Sequence, residues 1–410
     1  MLKKYLIFVF ILSLPFSLKA QNYTASFIKS VRIATSSSSD ETTNIFQLGQ
    51  SIYLTFDDLE ADQKEYYYTI EHCNYNWVPS NLNKSEYLEG YDEFELQNFE
   101  NSFNTLQNFT HYTLRFPNEN TRIKISGNYL ITLLNSDDQI CIQRRIVLFE
   151  PITTVSAKVI RDRDLTNIDQ KQVVQFSIYH PNLTINNPSN EIKTVVLQNN
   201  DWNFIKTDLH PQFYKKDEIV YNYNEASSFY GGNEFLNFDT KNRNGNHISI
   251  FRTELQDIYH HYIVPTPPRT KAPYTYFPDI NGNYIVRTLN SADPILEADY
   301  SFVHLSLEAT NALIDKDIYV YGAFNNFEVE ENNRLVFNEA SNMLEATLLL
   351  KQGFYNYSFI TYNKEDKLDK HLISGSHFFT ENNYTILVYY TPFGQRVGKV
   401  IGCATINSKN

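Results

Sequence analysis

From residue 66 the side chains alternate. Tyr66, Tyr68, Ile70 and His72 fall on one face of an extended chain, and Tyr67, Thr69, Glu71 and Cys73 fall on the other. A strand with one buried face requires this two-residue period, because successive side chains point to opposite sides of the sheet. Asn74, Asn76, Pro79 and Ser80 then break the period and open a loop that carries Trp77. The alternation recurs at Ile52, Leu54 and Phe56, at Tyr129, Ile131 and Leu133, and at Ile142, Arg144, Ile146 and Leu148 before Glu150-Pro151. Together these runs predict an antiparallel β-sandwich over residues 21–150.

Beyond Pro151, Arg161-Asp162-Arg163-Asp164 reads as a solvated turn with surface ion pairs, and Val174, Phe176 and Ile178 mark the next strand. Asn244-Gly245-Asn246 and Asn281-Gly282-Asn283 carry the Asn-Gly signal of hairpin turns. Val264-Pro265-Thr266-Pro267-Pro268 lacks the N–H groups of a central strand and is expected to cross an edge or link two sheets. Residues 249–259 leave two readings open, since Phe251, Leu255 and Ile258 fit a short helix while His-Ile-Ser-Ile fits a strand. A last region has strands at Phe302-Val303-His304-Leu305, at 318–321 and at 384–390, and a pair within 348–359 that meets at Gln352-Gly353. Residues 126–138 and 281–293 share a GNY start and an LNS exit, one short match that fits duplication and chance alike. The expected architecture is all-β, with tandem antiparallel β-sandwiches of the immunoglobulin-like or early-set-like kind at 21–150, 151–300 and 301–410.

Composition supports strands. Tyr and Phe number 30 and 29 against 2 Met, and aromatic residues favour the pleated sheet. A chain of 410 residues fits two to four domains at about 100–200 residues each. At the N-terminus Lys3 and Lys4 precede an apolar run at 5–18, and Lys19-Ala20 leads into Gln21. This predicts a secretory signal peptide over residues 1–20, with a run too short for a membrane span. No Cys near the cut offers a lipid attachment point. Removing Lys3, Lys4 and Lys19 lowers the 35 basic side chains to 32 against 47 acidic ones. Such an acidic balance opposes binding to nucleic acid or to anionic lipid. Cys73, Cys141 and Cys403 are too few and too scattered for a disulfide framework, and Cys73 with Cys141 are read either as buried thiols or as a pair.

The chain lacks HExxH, CxxC, GxSxG, P-loop and GxGxxG motifs. His260-His261 point to opposite faces of a strand, His371 and His377 have no third ligand near them in sequence, and Asp57-Asp58 reads as a strand-ending acidic turn. The expectation is a protein without catalytic residues, cofactor or metal. Three aromatics remain as candidate partner-contact residues. Trp77 lies in the loop after the first strand described, and Phe324 and Phe327 lie in the Gly-Ala-Phe-Asn-Asn-Phe loop at 322–327. That loop resembles the glycine-aromatic-asparagine loop of early-set, glycogen-binding-type sandwiches, with Phe327 where those loops end in Trp. Each of the three rings either packs a core or faces a partner.

Motifs in all three regions carry a wider resemblance. They are EHCNYNWVPSNL at 71–82, EYLEGY at 86–91, NSFNTLQNFTHYTLRFPNE at 101–119, ISGNY at 125–129, GGNEFLNFD at 231–239, VYGAFNNF at 320–327, LKQGFYNYSF at 350–359 and TENNYTILVYY at 380–390. In these the chain resembles the plug protein family of the type IX secretion system, formerly a domain of unknown function. It departs from the pattern at Leu236, where an Arg usually follows the Phe of GGNEF. The resemblance implies a soluble periplasmic protein that docks on the giant outer-membrane translocon barrel and closes its periplasmic opening at rest. Two rival readings stay open: a carbohydrate-binding exported protein using the early-set-like module, and an outer-membrane β-barrel. The polar insert at 182–190 and the end Ser408-Lys409-Asn410 speak against the barrel.

Overall fold

The computed structural model describes residues 21–37, 42–244, 247–289, 291–363, 365 and 367–409. The expected export signal at 1–20, and Gly245-Asn246 of the first Asn-Gly turn, lie outside the described residues. Strands make up nearly all of the regular structure, and the α-helices are single turns such as Lys84–Tyr87 and Pro188–Glu191. The expected all-β, multi-domain sandwich architecture is present.

In the first sandwich one sheet runs in the order Tyr23–Thr24, Ile140–Phe149, Gly127–Asn135, Tyr66–Cys73, Glu93–Glu95, with Ile45–Gln47 parallel to Ile140–Phe149. Facing it are Ile28–Ala34, Ile52–Asp58, Thr110–Phe116 and Phe99–Asn101. The register sets Tyr68 opposite Leu133 and Ile70 opposite Ile131, so the alternating faces read from sequence become one apolar surface. That surface closes over Leu54, Phe56, Tyr112, Tyr129 and Ile146. Phe56 stacks on Tyr112 with centroids 5.1 Å apart, and Tyr66 meets both rings edge-on. Such geometry suits the quadrupoles of aromatic rings.

The second sandwich packs Thr154–Arg161, Lys171–Tyr179, Glu218–Tyr221 and Phe213–Lys215 against Asp201–Lys206, Ile192–Gln198, Asn383–Tyr390 and Lys399–Asn407. The third packs Leu236–Asp239, Gly353–Tyr362 and Tyr284–Val286 against Ile250–Leu255, Tyr259–Ile263, Tyr300–Glu308, Met343–Lys351 and Val336–Asn338. The expected division at residues 300 and 301 therefore does not separate these units. Asn383–Tyr390 pairs with Ile192–Gln198 from Ile192 opposite Tyr390 to Gln198 opposite Tyr384, so the last two long strands complete the second sandwich. The third sandwich is an insertion within the second. Residue periods locate strands, but sheet neighbours are chosen by packing at long range, which no local pattern records.

Residues 249–259 form a strand, Ile250–Leu255, paired with Tyr259–Ile263. Gln352-Gly353 carries the chain from one sheet of the third sandwich to the other, and a Cβ on Gly353 would lie 2.2 Å from the Ile285 carbonyl oxygen. Asn281-Gly282-Asn283 makes a tight turn, but Tyr284–Val286 pairs with Gly353–Tyr362 and not with the preceding segment, so no hairpin forms there. The two GNY segments also part company. Gly127–Asn135 is a long central strand, whereas Tyr284–Val286 is short. All three cysteines are free. Cys73 faces the second sandwich and Cys141 the first core, on opposite sides of one sheet.

His72 is buried against Tyr129 and Tyr87, and neither of its ring nitrogens has a hydrogen-bond partner. Room for the ring exists because residue 127 is glycine, where a Cβ would come 2.4 Å from Nε2. Burial lowers the His72 pKa from 6.5 to about 4, and burial does the same to His261. Between these values the unfolded chain binds more protons than the folded one, so stability falls as pH drops through the window. His72→Phe keeps an aromatic ring in the pocket and removes one titrating group. Urea denaturation between pH 7 and 4.5 should show a shallower loss of stability in this variant than in the parent. An unchanged slope would rule out His72 as a contributor.

Candidate functional site

The features that set this molecule apart from three separate sandwiches are the seams between them. At the first seam the strand Tyr66–Cys73 runs into a loop closed by Asn74, whose Oδ1 accepts from the N–H groups of Asn76 and Val78 at 3.2 and 3.0 Å. Trp77 takes a left-handed backbone conformation, φ 65°, and its indole turns inward. It meets Trp202 of the second sandwich edge-on at 5.0 Å, with the Arg145 guanidinium 4.9 Å from its ring. Around this pair Cys73, Leu130 and Val147 pack on Val195, Leu197, Leu387, Tyr389 and Val400. Trp77 is only 5% exposed, so it joins two sandwiches and does not stand at a loop tip.

The seam between the first and third sandwiches is polar at its centre. Asp57, fully buried at the end of Ile52–Asp58, accepts from Lys351 Nζ and from Tyr300 OH at 2.6 Å each, and His111 Nδ1 lies 2.6 Å from its other oxygen. Ser30 Oγ lies 2.7 Å from the Tyr300 hydroxyl, and the Lys351 ammonium lies 3.9 Å from the Phe109 ring centre. Burial pushes the Asp57 carboxyl up, but Lys351 and His111 outweigh it and hold the group below the usual carboxylate range. Burial also pulls the Lys351 ammonium below its ordinary value, against the attraction of Asp57. Asp58 is buried too, on the other face of the strand, where it accepts from Tyr66 OH at 2.7 Å and from Lys64 Nζ at 2.9 Å. Asp58 thus ends the strand and opens an acidic turn, its Oδ1 accepting from the Glu60 N–H at 2.9 Å, while Asp57 belongs to the seam. The two carboxylates face opposite sides of a strand, each with its own lysine and tyrosine.

A second trio of the same composition joins the second and third sandwiches. Tyr321 OH donates to Asp201 Oδ2 at 2.8 Å, and Lys370 Nζ lies 3.7 Å from the same oxygen. Burial raises the Asp201 carboxyl above its ordinary range, an effect that Lys370 and the Asn203 N–H only partly offset. Phe327 belongs to this seam. Its ring lies 5.3 Å from Tyr321, and its carbonyl accepts from Asn203 Nδ2 at 2.7 Å. Phe324, two residues beyond Gly322, instead lines a cleft of about 410 Å³ between the first and third sandwiches. The cleft is also bordered by Lys29, Arg144, Phe302, Glu328 and Glu330. The three candidate rings therefore fall in three different places, and Phe324 and Phe327 do not form a shared stacking platform.

Other chemistry-bearing groups lie apart from the seams. Asp58, Glu60 and Asp62 bring three carboxylates together, and the Lys64 ammonium contacts all three. His371 stacks on Tyr230 at 4.0 Å, apart from His377, which packs beside Tyr274 at 5.4 Å. Leu236, where the plug pattern has Arg, opens the strand Leu236–Asp239 and packs against the third core. The sequence reading missed both Asp-Lys-Tyr trios of the seams. A usable signal was present for one: Asp57 follows Phe56 inside an unbroken strand pattern, where an acid must be buried or at an edge.

The fold and its seams define an all-β protein built as one braced body of three sandwiches. Residues 28–150, the first sandwich, match the first domain of the type 9 secretion system plug protein. A crystal structure of a hypothetical protein from Parabacteroides merdae superposes with a TM-score of 0.90 at 30% identity, over 95% of this chain and 100% of the other. No curated protein matches the chain. Residues 28–150 thus belong to the type 9 secretion system plug protein family, as its first domain. That match suggests a role in type IX secretion, a place in the cell envelope and a non-enzymatic, structural role. Among the described residues no helix is long and apolar enough to cross a membrane.

Removing one member of a buried ion pair leaves the other uncompensated, which costs about 3–5 kcal/mol, whereas replacing both with apolar or neutral groups is often close to neutral. Lys351→Met should therefore lower unfolding stability by that amount in urea titration. Asp57→Asn combined with Lys351→Met should recover most of the loss. Additive losses in the double variant would show that the pair is not coupled.

Proposed function

We propose that this protein is a periplasmic plug that docks on the outer-membrane translocon barrel of the type IX secretion system and seals its periplasmic opening when no cargo is passing. The observation that carries the reading is the match of residues 28–150 to the plug family's first domain, together with likeness to a solved relative along almost the whole chain. The physical requirements of a stopper agree with it. A wide protein-conducting pore leaks solutes unless a body of fixed shape covers it, and reversible docking does this by equilibrium binding without nucleotide. A seal of that kind buries about 1,200–2,000 Å², and interior seams braced by ion pairs and ring stacks keep the body from deforming over such an area.

The plug reading assigns no chemistry to the chain. Asp57, the most densely bonded carboxylate of the seams, has both oxygens occupied by Lys351, Tyr300 and His111, so it is not free to act as a base. Of the three aromatics first considered for partner contact, Phe324 retains that role in this proposal, because it lines an open cleft while Trp77 and Phe327 are buried. A barrel protein isolated from cells arrested without cargo should carry this protein with it. Cells lacking the protein should admit large hydrophilic solutes through the outer membrane. Normal impermeability of such cells, together with a barrel that never retains the protein, would remove the plug reading.

A further inference from the structure

The larger sheet of the third sandwich ends in an uncovered strand. Ile250–Leu255 pairs with Tyr259–Ile263 on one side and, among the described residues, with no strand on the other. A shallow groove of about 490 Å³ runs along Ile250, Phe251, Arg252 and Thr253, residues of both faces, so open space meets the edge of the sheet itself. The existing pairing fixes which main-chain groups are free there. The Gln256 N–H donates to the Ile258 carbonyl, and bonds to an antiparallel neighbour recur at every second residue. Arg252 and Glu254, opposite Tyr262 and His260, therefore direct their N–H and C=O groups to the neighbouring strand. Thr253 and Leu255 direct theirs outward. An edge of this kind is a template for a further strand.

Along that edge the side chains are their own complement. Phe251-Arg252-Thr253-Glu254-Leu255 runs apolar, basic, neutral, acidic, apolar. A second copy laid antiparallel about a two-fold axis at Thr253 brings Thr253 opposite Thr253, where the outward N–H of each chain donates to the C=O of the other. Arg252 of each copy then stands opposite Glu254 of the other, at the non-hydrogen-bonded positions where side chains come closest. Phe251 falls opposite Leu255, and both are exposed in the single chain. Charge rejects the neighbouring registers. Sliding the second copy until Thr253 faces Leu255 sets Glu254 against Glu254, and sliding it the other way sets Arg252 against Arg252. The charged heads are already held on one face: Arg252 Nη1 lies 3.3 Å from Glu254 Oε1, the Arg252 guanidinium caps the Tyr262 ring at 3.9 Å, and Glu254 Oε2 accepts from Tyr262 OH at 3.2 Å.

We propose that Ile250–Leu255 is a self-recognising edge through which a second copy of this chain docks, so that the larger sheets of two third sandwiches join across a two-fold axis. Such an interface is isologous, with each residue and its complement contributed by both copies. The dimer is independent of the plug reading, which gives this edge no use. The register shift between Ile250 and Arg252 ends the regular edge at Phe251, so the paired stretch is short. An interface of that size stands at the weak end of specific ones, and the dimer exchanges with monomer on dilution.

The test is sedimentation velocity on the untagged full chain over a concentration series. The parent should pass from monomer to dimer as concentration rises. Arg252→Glu places four carboxylates at the axis and Glu254→Arg four cations, so each variant alone should dimerise more weakly by roughly tenfold or more. An equal mixture of the two variants should dimerise again, because every carboxylate then faces a cation, and the double variant carrying both exchanges should recover the homodimer. Recovery in the mixture also shows that both single variants are folded, and circular dichroism checks this separately. Lys215→Glu, on the exposed strand Phe213–Lys215 of the second sandwich, should leave the parent's behaviour unchanged. A parent that stays monomeric at every concentration, single variants that dimerise as the parent does, or a mixture that stays monomeric while both variants are folded overturns the proposal.

Discussion

The ion pair between Asp57 and Lys351 fixes how the first and third sandwiches sit together. An apolar seam tolerates sliding, because dispersion and water exclusion depend on area and not on direction. A carboxylate that accepts from an ammonium, a phenol and an imidazole at 2.6 Å has a single position in which all three bonds are made. The net stabilisation from such a buried pair is small, since desolvation of both charges offsets most of the attraction. Its contribution is positional. Cohesion comes from the rings and aliphatic side chains beside it, at about 1.5–3 kcal/mol for each large apolar side chain fully buried.

Both polar trios use the same chemistry on different partners. Asp57 and Asp201 come from the first and second sandwiches, while Lys351, Tyr300, Lys370 and Tyr321 all come from the third. The inserted third sandwich is therefore the one that is pinned, once to each neighbour, and the Trp77–Trp202 contact joins those neighbours directly. Three bodies joined pairwise at three seams cannot hinge about any one of them without breaking another. The two chain crossings that lead into and out of the insertion reinforce this. Gly231 and Gly232 pair with residues 376–382 through His377 N–H to Gly232 O at 2.8 Å and Asn382 Nδ2 to Gly231 O at 2.8 Å.

What was legible in the sequence follows from the range of each interaction. The strands of the first sandwich could be read because their inner faces repeat at period two, and Leu54, Phe56, Tyr66, Ile70 and Ile131 all lie in its core. Trp77 was visible as a large ring in a polar loop, yet its direction depends on Trp202, more than a hundred positions away. The nesting of the third sandwich inside the second was illegible for a similar reason. Ile192–Gln198 and Asn383–Tyr390 are each ordinary strands, and only their pairing carries the topology. Phe324 and Phe327, three positions apart in one loop, fit core packing or exposed stacking rings as far as their spacing goes. Left-handed backbone at Asn326 and Phe327, φ 56° at each, turns the second ring into the seam and leaves the first at the cleft.

The separation of seam from surface also bears on how a protein of the proposed plug kind is both rigid and releasable. Residues that brace the body, Trp77, Asp57, Lys351, Tyr300, Asp201 and Tyr321, are each 5% exposed or less, so displacement of the whole protein from a partner does not require any of these contacts to open. Exposed large side chains are available elsewhere, among them Phe251, Phe277 and Phe393 at 60%, 60% and 96% exposure. An interface made from such residues is strengthened or weakened by single substitutions, because affinity resides in a few anchors. The braced interior is unaffected by those changes. Shape is held by buried long-range pairs, so substitutions at the exposed rings leave the fold in place.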